Sequence, residues 1–98
     1  MKVWLFAAAM FAAIAAQASP AVESRYKSSC GICHSNGAGG APKTHDVAAW
    51  QPRLEKGMDQ MLKSIQNGYR GMPPKGMCFD CSDEEFEALV NYMASPKP

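Results

Sequence analysis

Cys30-Gly31-Ile32-Cys33-His34 matches C-x-x-C-H, the attachment pattern of a c-type haem. Two cysteines three apart reach the two vinyl groups of one porphyrin and form thioethers. The adjacent His34 then turns its imidazole to the iron from the same side. Gly31 lets the backbone run close to the ring edge. A closed haem iron needs a second axial ligand, and methionine opposite histidine fills that place and raises the potential. The chain has seven methionines, and they are not equivalent. Met1 and Met10 lie in an N-terminal leader. Met58, Met61 and Met93 fall on apolar helix faces, where core packing is their role. Met72 precedes Pro73-Pro74, a stiff non-helical segment that suits a ligand held out toward a metal. Met77, close by, is the alternative.

Two other chemistries use the same residues. C-x-x-C is also the thioredoxin-like redox motif, which requires a βαβ neighbourhood, and none is visible in the pattern. Cys30, Cys33, Cys78 and Cys81 also read as two C-x-x-C pairs, as in a structural zinc site. The 44 residues between the pairs exceed the usual spacer of about 15 to 20.

The chain has 98 residues and a formal charge of +1, from ten Lys plus Arg against nine Asp plus Glu. That balance excludes the basic face of a nucleic-acid binder. Val3 to Ala16 is an unbroken apolar run of fourteen, short of the ~20 residues of a membrane span. With Lys2 before it and Ala16-Gln17-Ala18 after it, the run reads as a signal peptide cleaved after Ala18. Residues 1–18 are then a leader and 19–98 one mature domain. The mature chain has nine positive and nine negative side chains, hence no net charge. Export to the periplasm sets an oxidising compartment. Eighty residues make a thin core, so a cofactor filling the middle is expected.

The elements that must position these groups are helical. Ser19-Pro20 starts a helix that runs to about Ser29. Cys30 to Pro42 reads as a glycine-rich loop. Asp46 caps a short helical turn through Trp50, which Pro52 interrupts. Met58, Met61, Leu62 and Ile65 share one face of a further helix, ended by Asn67-Gly68. Gly71 to Cys81 is irregular. Ser82 to Glu85 is a capping box opening a last helix with Phe86, Leu89, Val90 and Met93 on one stripe. The expected fold is all-α, three to four short helices wrapped around one haem.

Cys30-Gly31-Ile32-Cys33-His34, Gly40-Ala41-Pro42-Lys43 and Met72-Pro73-Pro74-Lys75-Gly76 together resemble a class I c-type cytochrome. The run from Met77 to Glu85 is similar to the small bacterial cytochrome c5 group, and the likeness spans residues 24 to 94. The resemblance implies one covalent haem c, thioethers at Cys30 and Cys33, and His34 and Met72 on the iron. It implies that a carbonyl at Pro42 orients the His34 ring and that Trp50 packs against the haem near a propionate. It also implies a disulfide between Cys78 and Cys81, in keeping with an oxidising compartment, and Tyr26 packed on Tyr92 or a neighbour. Three departures stand out. Val22 replaces a glycine where the terminal helices cross. The segment before Cys30 leaves little first helix. His45 stands where the c5 pattern has glycine, and reads as a solvated loop residue.

These features describe a one-electron carrier and not an enzyme: both axial sites are closed, and no substrate is bound. Its partners are redox proteins docking at an exposed haem edge, with weak pairing to a second copy as a further use of that edge. Lys43 and Lys75 flank the two ligand loops, facing an acidic partner or simply solvent. A haem enzyme or gas sensor needs an open sixth site and a polar distal pocket, and the sequence offers no distal histidine or arginine with helical placement near Met72. A zinc or thiol module would be colourless. Mass spectrometry of the mature protein is expected to find Ser19 at the N-terminus; an intact Met1 would contradict cleavage.

Overall fold

The structure, a computed structural model, describes residues 19–98, and the leader expected over 1–18 lies outside them. Among the described residues the chain is helical, with one isolated bridge between Tyr69 and Met72 as its strand-like pairing. Ser19 caps α1 (Pro20–Arg25) by accepting the Val22 N–H. A π turn (Tyr26–Cys30) leads directly into α2 (Gly31–His34). Next come α3 (Val47–Leu54), α4 (Met58–Asn67) and α5 (Asp83–Ala94), with short 3-10 turns at Ala38–Gly40 and Pro74–Met77.

The first helix is longer than the sequence pattern indicates. It passes through Cys30 and ends at His34, so the C-x-x-C-H segment is helical and not part of the loop. Gly31 has ordinary helical angles, and one glycine inside a helix costs only about 1 kcal/mol. The structure gives Gly31 a further role. A Cβ there would stand 2.9 Å from the Tyr26 ring and 2.9 Å from the Tyr26 carbonyl oxygen. The π turn widens the helix by one residue, and Ser29 Oγ fills the gap in the ladder by donating to the Arg25 carbonyl at 2.6 Å. The chain breaks later, at Gly37, Gly39 and Gly40, all in the left-handed region.

Pro52 does not interrupt α3, which continues to Leu54. Its missing N–H leaves the carbonyl of exposed Ala48 to water. One residue on, the Arg53 side chain donates to the Ala49 carbonyl at 2.6 Å.

α5 is the spine of the core. The capping box is complete: Ser82 Oγ accepts the Glu85 N–H at 3.1 Å and Glu85 accepts the Ser82 N–H at 2.8 Å. One side of the helix joins Trp50, Met61, Val90, Met93 and Ala94. The other joins Phe86 and Leu89 to Cys78 and Cys81. Phe86, Leu89 and Val90 are almost wholly buried, each contributing roughly 1.5–3 kcal/mol. Tyr26, Cys30 and Ile65 touch both groups. Val22 sits in the contact between the terminal helices, against the Phe86 group.

One ion-pair cluster fastens the first helix to the start of the last. Arg25 Nη1 donates to Asp80 at 2.7 Å, and Nη2 lies 3.4 Å from Glu85. The hydrogen bond from Arg25 holds the Asp80 carboxyl below the usual carboxylate range. A depressed carboxyl stabilises the fold above its unfolded value of about 3.9, and that contribution is lost as pH falls through its folded value. Asp80→Asn should therefore lower stability at neutral pH and flatten the acid side of the stability–pH curve, as urea denaturation across a pH series would read.

Candidate haem site

The site begins on the last turns of the first helix. Cys30 and Cys33 are unpaired thiols, the first half-buried and the second exposed. Burial pushes the Cys30 thiol up from its ordinary value. His34 follows, its side chain buried on the core side. Its ring Nδ1 lies 2.8 Å from the Pro42 carbonyl oxygen. A carbonyl only accepts, so Nδ1 carries a proton and donates it to Pro42, and in the neutral ring Nε2 keeps a free lone pair.

The segment after the glycine turn is fixed to this ring from several directions. Thr44 N–H donates to the His34 carbonyl at 2.8 Å. Trp50 Nε1 donates to the Lys43 carbonyl at 2.9 Å, and its ring lies 5.4 Å from that of His34. Trp50 is thus a buried wall beside the imidazole as well as a core residue. Tyr26 packs edge-on against Tyr92, with ring centres 5.1 Å apart.

His45 lies half-exposed in a turn, as expected of a loop residue, but it has partners in the last helix and beyond. Its N–H donates to the Met93 carbonyl at 2.6 Å, its Nδ1 lies 2.8 Å from the Ser95 carbonyl oxygen, and its ring stands edge-on to Tyr92. Its φ of +70° gives a physical reason for a glycine in the related pattern. The residue that looks idle in the sequence ties the loop after Pro42 to the end of α5.

Met72 is delivered by a tight reversal. Tyr69 and Met72 exchange backbone hydrogen bonds of 3.0 and 2.8 Å, with Arg70 in the left-handed region between them. Met72 is half-buried. Gly76 backs it: a Cβ there would lie 3.1 Å from the Met72 methyl, and the φ of +54° also favours glycine. The turn after Met72 packs against the helical segment carrying Cys30, so the Met72 and Cys30–His34 regions adjoin. Met77, by contrast, is 55% exposed. It leads into Cys78 and Cys81, which the structure joins as a buried disulfide. Lys75 folds back so that its ammonium lies 5.9 Å from the Phe86 ring centre.

This donor set fits a c-type haem. It offers two thiols one helical turn apart, an imidazole with one nitrogen already engaged, and a thioether held by a short hairpin. It fits neither competing chemistry. Among the described residues no group of three His, Cys, Asp or Glu side chains is placed to hold a metal ion, and the second cysteine pair is oxidised. No parallel strand pair exists there to carry a thioredoxin-like motif.

Comparison with known proteins agrees. Residues 17–93 match the family described as cytochrome c oxidase, cbb3-type, subunit III. The chain is 43% identical over 67 residues to cytochrome c5 of Azotobacter vinelandii, covering 66% of this chain and 81% of that protein. The solution structure of a mono-haem ferrocytochrome c from Shewanella putrefaciens superposes with a TM-score of 0.68 at 47% identity, over 78% of this chain and 94% of that one. A crystal structure of an electron-transfer complex of nitrite reductase with cytochrome c matches with the same TM-score at 38% identity, over 78% and 93%. The chain belongs to the class I mono-haem c-type cytochromes, with one covalent haem c, and is an electron carrier similar to cytochrome c5.

Proposed function

We propose that this protein is a periplasmic one-electron carrier whose haem is held by Cys30 and Cys33 and whose iron is ligated by His34 and Met72. The observation that carries the ligand assignment is the 2.8 Å bond between His34 Nδ1 and the Pro42 carbonyl. A metal-bound histidine characteristically donates its other N–H to such a carbonyl, which fixes the tautomer and strengthens the ligating nitrogen. The two unpaired thiols lie four and one residues before it on the same helical run. Met72 is favoured over Met77 because it is half-buried, braced by Gly76 and held by Tyr69, whereas Met77 is turned out to solvent.

When bound, the haem supplies an iron that changes between ferrous and ferric states without making or breaking a bond to substrate. The chain's own residues would hold that group and leave it no open site. His34 and Met72 would be the protein donors to it, with Pro42 orienting the imidazole and Trp50 packed beside that ring. Residues 19–98 form the functional domain, and 1–18 are a leader that directs export and is removed. No described helix is long and apolar enough to cross a membrane, which accords with a carrier that diffuses between partners. One solved relative is bound to nitrite reductase, and an oxidoreductase with its own redox centre is the kind of partner proposed here. The mature chain has no net charge, so local patches and not the whole field steer that encounter.

Met72→Ala in the haem-loaded protein should leave the haem attached, lower the potential and open the iron to carbon monoxide in the ferrous state. The parent protein should show an unperturbed spectrum under carbon monoxide. An unchanged Met72→Ala spectrum would contradict the assignment and transfer it to Met77.

A further inference from the structure

Thr44 stands two residues beyond the carbonyl that orients His34. Its backbone N–H donates to the His34 carbonyl at 2.8 Å, and its hydroxyl donates to the same oxygen at 3.2 Å. That hydroxyl also lies 2.7 Å from the Tyr26 hydroxyl. A hydroxyl has one proton. With the Thr44 proton directed at His34, Tyr26 is the donor in the other bond. The result is a chain of bonds from Tyr26 to Thr44 to the His34 carbonyl, each polarising the next. Tyr26 itself is immobilised: its ring lies on Gly31 and edge-on to Tyr92.

His34 is therefore gripped twice by one short segment, at its ring by Pro42 and at its carbonyl by Thr44. Neither grip can slacken without moving the other, because one intervening residue, Lys43, is itself bonded to Trp50. We propose that Thr44, backed by the Tyr26 hydroxyl, is a positioning residue for electron transfer. It sets the direction and strength of the Pro42–His34 bond, and through it the electron donation of His34 to the iron. The inference rests on the assignment of His34 as a ligand. A strong bond at Nδ1 makes the imidazole a better donor, and a better donor favours ferric iron. Loosening the segment should then raise the reduction potential.

The test compares the haem-loaded parent with T44V, T44S and Y26F. Two quantities are read: the reduction potential, by spectroelectrochemical titration, and the proton NMR spectrum of the oxidised form. In that spectrum the His34 ring protons and the spread of the haem methyl signals report the imidazole's ligation and orientation. T44V keeps the side-chain shape and the backbone bond but loses the hydroxyl. It should raise the potential and alter the methyl spread, and T44S should restore both toward the parent. Y26F keeps the ring packing, removes only the donor, and should move both quantities in the same direction as T44V; it carries the test if T44V does not fold. Potentials and methyl signals unchanged in Y26F and in any folded T44V, even beside lowered denaturation midpoints, would leave Thr44 a merely structural residue and overturn the proposal. A parent whose His34 ring shows no paramagnetic shift would instead overturn the ligand assignment, and the inference with it.

Discussion

His34 Nδ1 has one acceptor, the Pro42 carbonyl 2.8 Å away, and much of this small domain is organised around keeping it there. The imidazole is carried on the end of a helix, and the carbonyl lies on the far side of a glycine turn. Left alone, that turn would let the two drift apart. Bonds at Lys43, Thr44 and His45 close it, to Trp50, to the His34 backbone and to the end of α5. The last helix is in turn fixed by burial of Phe86, Leu89 and Val90. The orientation of one ring is thus linked to the apolar core through backbone carbonyls, which are rigid acceptors with no rotamers of their own.

The region of Met72, the proposed second ligand, is held by different means. Met72 sits on a two-bond reversal and is followed by prolines, a glycine at positive φ close behind the Met72 methyl, and a buried disulfide. Arg25 joins that region to the first helix through Asp80 and to the last through Glu85. The exposed Arg25–Asp80 pair contributes little by itself, but it lies where α1, the disulfide turn and the start of α5 converge. The histidine side is built from hydrogen bonds to backbone, and the methionine side from backbone stiffness. Both limit movement of the donors, as an electron carrier needs if its two oxidation states are to share one geometry.

Much of this was readable in the residues. The C-x-x-C-H string, the Met-Pro-Pro segment, the capping box at Ser82 and the single apolar stripes of α4 and α5 each have a local physical cause, and local causes survive folding. What escaped had its cause elsewhere in the chain. The first helix runs through Gly31, which stands there because the Tyr26 ring occupies the space a side chain would need, a contact that glycine content alone does not announce. Pro52 is tolerated because the orphaned carbonyl faces water and a neighbouring arginine supports the next turn. His45 looked idle because its partners, Met93 and Ser95, are about fifty residues away. Its one local signal was a side chain standing where related chains have glycine, a hint that the backbone there is left-handed.

The most direct test of the account is whether colour stays with the chain. The protein should be expressed with its leader in a host that assembles c-type cytochromes, and the exported fraction run on a denaturing gel stained for haem. Covalent attachment at Cys30 and Cys33 predicts a stained band at the size of the mature chain, and a weak far-red absorption in the oxidised native protein from methionine on the iron. A colourless band, with four cysteines accounted for as thiols or disulfides, would contradict it.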